Sequence, residues 1–173
     1  SPVEMANINT VCAELGRSAR ISTLITNAGS VILKKVTAGS LGSGVCGTVT
    51  GNTVEIACDL LGENFAKYVI IHELGHVIAG ANGSVWSAYL GDPAYPREGL
   101  VATYPFAPEL ITWCGADPRC ESFAEMIADY VIAKRYNFLA RNWDPVGSLG
   151  PYPGGPWDNP GSGYTTFKNY LPL

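Results

Sequence analysis

Residues 63–82 read Glu63-Asn64-Phe65-Ala66-Lys67-Tyr68-Val69-Ile70-Ile71-His72-Glu73-Leu74-Gly75-His76-Val77-Ile78-Ala79-Gly80-Ala81-Asn82. His72 and His76 are four residues apart, so on a helix they sit one turn above each other and point the same way. Two neutral imidazoles on one face can supply two ligands of a zinc ion. Glu73, adjacent but out of line with them, is placed to take a proton from a water activated there. The flanks predict a helix, with start signals at Gly62 and Asn64 and stop signals at Gly80 and Asn82-Gly83. Val69, Ile70, Ile71, Leu74, Val77 and Ile78 cover nearly its whole circumference. A helix of that kind is buried on most sides, and its polar residues need partners or a task. The bland alternative is a pair of satisfied core histidines beside a buried acid, which is costly to desolvate without a cation. The chain has only 2 histidines and both fall in this motif, which favours a zinc site.

Working outward, 173 residues fit one domain with a sizeable core. Composition is 47% hydrophobic and 15% charged with 20 Gly and 12 Pro, which indicates a folded, loop-rich chain and excludes disorder. The net charge of -4 and the isolated basic pairs Lys34-Lys35 and Lys134-Arg135 argue against nucleic acid and anionic membranes as partners. No membrane span is expected, since His72, Glu73 and His76 interrupt the only candidate run. A chain opening at Ser1 without Met is expected to be a processed or trimmed form.

The 5 cysteines bear on the compartment. Cys46 and Cys58 flank a Thr-Gly-Asn-Thr turn, and Cys114 and Cys120 bracket Gly-Ala-Asp-Pro-Arg. Two local disulfides, with Cys12 buried and unpaired, suit a secreted or extracytoplasmic protein. In a two-residue hairpin centred on Gly51-Asn52, Cys46 faces residue 57, so a Cys46–Cys58 bridge requires a bulge or a wider loop.

In chain order, residues 3–16 predict a helix closed by Gly16, and residues 20–27 fit a short helix or a strand. Val31 to Val36 reads as a strand, and Gly44 to Thr50 with Thr53 to Cys58 as a hairpin. Residues 81–120 look irregular and aromatic, which marks a functional loop region. Cys120 to Phe138 reads as a second helix with Phe123, Met126, Ile127, Tyr130, Val131 and Ala133 towards the core. The expected organisation is a catalytic domain over 1–140, with a Gly/Pro-rich arm over 141–173 packed on it.

A catalytic zinc needs a third protein ligand. No histidine follows His76, and Ala79 and Asn82 stand where a HExxHxxGxxH site has Gly and His, so a carboxylate from another helix is the remaining donor. Glu121, Glu125 and Asp129 are spaced by four near one helical face. Their mutual repulsion is relieved by a cation or by hydrogen-bonded imidazoles facing them.

With these acids the sequence resembles the gluzincins, zinc peptidases with HExxH on one helix and a ligating Glu on the next. The resemblance covers roughly residues 31–138. Two registers fit. Glu121 with Glu125 looks like the ExFAE form of the lethal-factor-like and Pro-Pro endopeptidase-like members, and Glu125 with Asp129 looks like the thermolysin form. Phe123-Ala124-Glu125 favours Glu121 as ligand, with Glu125 and Asp129 as supporting groups or alternative ligands. Those members carry a Tyr seven residues before the ligand, where this chain has Cys114. The oxyanion-stabilising group is therefore sought among Tyr95, Arg97 and Tyr104.

The resemblance implies a small α+β zincin domain with a short mixed sheet, in which peptide lies antiparallel on the edge strand at 44–50. The expected function is a monomeric zinc endopeptidase with Glu73 as general base. The rivals are a catalytically silent zinc-stabilised binding protein, and a zinc amidase acting on cell-wall peptide.

Overall fold

The computed structural model describes residues 1–17, 19–43, 45–57, 61–62 and 64–91, together with Phe123, Ala124, Ile127, Ala128, Val131, 134–137 and 142–145. The architecture is α+β, as the sequence leads one to expect. In chain order the elements are α1 (Pro2–Arg17), α2 (Ala19–Ala28), β1 (Ile32–Val36), β2 (Gly47–Thr50), β3 (Thr53–Ala57), α3 (Asn64–Ala81), α4 (Gly83–Gly91), β4 (Lys134–Asn137) and β5 (Asn142–Pro145).

Helix α1 begins with Ser1 as cap and Pro2 in the first turn, where a missing N–H costs nothing. The Glu4 amide donates to Ser1 Oγ (3.3 Å), and the Glu4 carboxylate accepts from the Ser1 nitrogen, a reciprocal capping arrangement. Val11 and Asn7 are its buried residues, and Asn7 donates to the Leu61 carbonyl (2.9 Å), tying α1 to the approach to α3. Cys12 was expected to be buried but is exposed, and it forms no bridge among the described residues. Val11 takes the core-facing position, and a helical step of about 100° turns the next residue away. The ambiguous stretch at 20–27 is helical. Ile21 and Leu24 place apolar groups one turn apart against α3, and Gly29 leaves the helix at φ +75°.

The three-stranded sheet has the order β1-β3-β2. Strand β1 runs parallel to β3, with Ile32 opposite Thr53 and Val36 opposite Ala57. Strands β2 and β3 form the predicted hairpin, with Thr50 opposite Thr53 across Gly51-Asn52 and Gly51 at φ +58°. Gly47 and Val49 face Ile56 and Val54, so all four share one face of the sheet. Val54 and Ile56 are fully buried there. Beyond Gly47 the Ala57 amide donates to the Cys46 carbonyl (3.0 Å), so Cys46 lies opposite residue 57. Cys58, Cys114 and Cys120 lie outside the described residues, and both expected bridges with them.

Helix α3 carries the central motif and packs against α1, α2, α4, β2 and β3. Every residue from Tyr68 to Gly75 is buried. Around it Ile21, Leu24, Val54, Ile56, Ile71, Ile78, Phe123 and Ile127 form the centre of the core. No helix among the described residues is long and apolar enough to cross a membrane.

Two further expectations are corrected. Residues 83–91 are helix α4 and not irregular chain. Asn82 is both the end of α3 and the cap of α4, since its amide N–H donates to Ile78 O and its carbonyl accepts from Trp86 N (both 3.0 Å). The stop signal was real, but it separates two helices. The second correction concerns 120–138. Helical backbone is found at Phe123, Ala124, Ile127, Ala128 and Val131, all buried, but Lys134–Asn137 is a strand. It pairs antiparallel with Asn142–Pro145, Lys134 opposite Pro145 and Asn137 opposite Asn142. The apolar helical spacing ends at Val131 to Ala133, and the polar residues that follow satisfy their backbone in a hairpin instead.

Candidate metal centre

The site begins with the apolar sequence of α3, which makes its motif face inward. His72 and Glu73 are each only 8% exposed, while His76 is half-buried. The two imidazoles stack along one face with ring centroids 4.9 Å apart and planes nearly perpendicular at 80°. Tyr68, one turn earlier, brings its ring to 5.9 Å from that of His72. Tyr68, His72 and His76 thus form a column of aromatic rings along the helix.

The decisive distance is between the two Nε2 atoms, 3.2 Å. Two imidazole nitrogens on one tetrahedral zinc, at the usual bond length of about 2.0–2.1 Å, stand about 3.3–3.4 Å apart. The observed separation is close to that value, and it is also within hydrogen-bonding distance of one ring nitrogen from the other. The donor chemistry also fits, since neutral imidazole is a common zinc ligand.

Glu73 leaves the helix in another direction, towards the sheet. Its Oε1 and Cγ lie so close to Gly47 of β2 that a Cβ there would be 2.7 and 2.8 Å from them. The carboxylate thus rests on the helix-facing side of β2. That strand is at one edge of the three-stranded order, so its outer side is unpaired among the described residues.

A second close approach occurs at Gly75, between the two histidines. A Cβ on Gly75 would lie 2.6 Å from Ala124 Cα and 3.1 Å from Ala124 O. The Phe123-Ala124 stretch therefore lies against α3 at the motif itself, with the Ala124 backbone in contact, and glycine is what permits it. Trp86 of α4 meets Phe123 edge-on, with centroids 5.5 Å apart, and fixes the same stretch from another side.

Of the expected residues, His72 and His76 face each other, while Glu73 lies against Gly47 of β2. Glu121, Glu125 and Asp129 lie outside the described residues, as do Tyr95, Arg97 and Tyr104. Among the described residues there is no group of three or more His, Cys, Asp and Glu side chains arranged to hold a metal. The sequence reading passed over Gly47 and took Asn82 only as a stop signal. The first begins a strand and contacts Glu73 only through the fold. The second carried a signal, an Asn-Gly pair between two apolar runs, that reads equally as a turn or a cap. Comparison with protein-family models, with curated proteins and with solved structures gives no match.

Proposed function

We propose that the chain is a zinc-dependent endopeptidase with a zincin-like fold, using a gluzincin ligand set. The observation that carries this reading is the 3.2 Å separation of the His72 and His76 Nε2 atoms, with Glu73 buried beside them against an edge strand. His72 and His76 would hold the metal with a carboxylate from the 121–129 stretch. Ala124, the residue in contact with Gly75, is three residues after Glu121 and one before Glu125 in the sequence, which supports a donor from this stretch. Glu121 is the preferred ligand, with Glu125 or Asp129 supporting it.

When bound, zinc supplies Lewis-acid polarisation of a carbonyl and brings the pKa of water down towards ~7. The chain's own part is proton movement and positioning. Glu73 accepts the proton of the attacking water on a carboxylate oxygen and returns it to the leaving amine. Its place beside β2 suits this role, because a peptide added to the outer side of β2 would run its backbone past the carboxylate. Tyr95, Arg97 and Tyr104 are the candidate donors to the oxyanion. The local cysteine pairs support an extracytoplasmic setting.

A second reading rests on the same distance. At 3.2 Å the two ring nitrogens also suit a direct hydrogen bond, one N–H donating to the other nitrogen, in a protein without turnover. Zinc titration followed by a peptide-cleavage assay separates the two. The peptidase reading expects one zinc per chain and cleavage abolished by a chelator and restored by zinc. Glu73→Gln should keep the zinc and lose at least ~10²-fold in turnover. Absence of zinc binding, or turnover unchanged in Glu73→Gln, would refute the peptidase reading.

A further inference from the structure

The contact between Gly47 and Glu73 joins the edge strand to the proposed base. A Cβ at position 47 would meet three side-chain atoms of α3 below ordinary contact distance: Glu73 Oε1 at 2.7 Å, Glu73 Cγ at 2.8 Å and Val69 Cγ1 at 2.8 Å. Val69 and Glu73 are one helical turn apart, so together they form the floor on which Gly47 lies. Gly47 is not at a positive φ and is not a turn residue. It is the first residue of β2, opposite Ile56, where any side chain would satisfy the strand backbone. Conformational freedom therefore does not account for glycine here, whereas space does.

The atoms that would be displaced differ in stiffness. Val69 is β-branched and held on a buried helix, so its methyl yields little. Glu73 is unbranched and has more rotatable bonds than Val69, so it is the softer of the two neighbours. A methyl group at 47 would thus be accommodated mainly by turning Glu73 off the strand.

We propose that Gly47 is a positioning residue that sets where the Glu73 carboxylate stands relative to His72 and His76. This inference rests on the peptidase reading for its kinetic consequence. Its structural content, that position 47 controls the direction of Glu73, does not depend on metal. Displacing a reacting group by about an ångström costs up to ~10²-fold in rate. A methyl group at 47 therefore lowers turnover in addition to the strain it adds to the folded state.

The test uses the full chain with Gly47→Ala, Gly47→Ala/Val69→Ala, Val69→Ala and Glu73→Gln. Expected for Gly47→Ala is full zinc content, kcat lowered roughly 10- to 100-fold, and KM within about twofold of the parent. Adding Val69→Ala should restore part of kcat, because it frees the space into which the Glu73 stem can return. A crystal structure of metal-free Gly47→Ala should show the carboxylate turned away from β2. A Gly47→Ala protein with parental kcat, while Glu73→Gln is inactive, overturns the inference and leaves the peptidase reading standing. If Glu73→Gln is itself fully active, the peptidase reading fails, and the metal-free structure alone decides the role of Gly47. An unmoved carboxylate in that structure, with β2 shifted instead, also overturns it. Should Gly47→Ala not fold, the double variant measured against Val69→Ala carries the same outcomes.

Discussion

His72 and His76 owe their 3.2 Å separation to a side-chain period that returns every fourth residue to one face. His72 is held from both sides along that face, by the rings of Tyr68 and His76. Replacing His72 by Ala should abolish stoichiometric zinc binding, read by atomic absorption after dialysis, along with turnover and the stability that the metal contributes. Asn82 is another buried polar residue that the core depends on. Its side-chain amide donates to the carbonyls of Leu24 (3.0 Å) and Ile78 (2.9 Å), and its Oδ1 accepts from Asn27 Nδ2 (2.7 Å). It is 6% exposed, so water cannot easily replace these bonds. Asn82→Ala should therefore destabilise by about 1–3 kcal/mol, the cost of leaving buried groups unsatisfied. Urea unfolding would check this as a lowered midpoint at unchanged slope.

Two glycines of α3 make opposite demands. Gly75 lies against the Ala124 backbone, while a Cβ on Gly80 would meet nothing within 4 Å. The same substitution should thus change sign within one helix. Gly80→Ala removes a helix-weakening residue at an exposed position and should stabilise by about 0.5–1 kcal/mol. Gly75→Ala forces the 123–131 stretch away from α3 and should cost about 1–3 kcal/mol. If that stretch brings the third ligand, Gly75→Ala should also weaken zinc binding, while Gly80→Ala leaves it unchanged. Competition with a chromogenic chelator would measure both. The sheet has a similar asymmetry. Its helix-facing side buries Val54 and Ile56, and the other face carries the Lys34–Glu55 ion pair in solvent. That pair contributes little to stability, because exposed charges are screened.

At the scale of the molecule, α3 is the axis on which α1, α2, α4, β2 and β3 pack, so metal bound at its motif should be felt through all of them. A ligand that binds only the folded state stabilises it in proportion to the logarithm of its concentration above Kd. Removal of metal should lower the melting temperature measured by circular dichroism, and stepwise zinc should raise it again. Acid should weaken this effect, since zinc competes with protons for the imidazoles. A melting temperature indifferent to zinc would count against a metal site on α3.

The central helix, the pairing of His72 with His76, the separate direction of Glu73 and the hairpin turning at Gly51-Asn52 were all legible from residue order alone. All of these are local. Helical and strand periods act over a few residues, and the turn has its own residue chemistry. The ambiguity at 20–27 needed the tertiary fold, because Ile21, Leu24 and Ile25 suit either period until α3 offers a surface for one of them. The break at Asn82 was visible, but its meaning was not, since a stop signal and a cap between two helices use the same residues. Only the folded chain brings Gly47 under Glu73 and Gly75 against Ala124, pairs separated by 26 and 49 positions, from 73 − 47 and 124 − 75. A glycine whose role is to leave room for another residue has no local pattern to mark it. The atom it makes room for arrives only when helix and strand pack together.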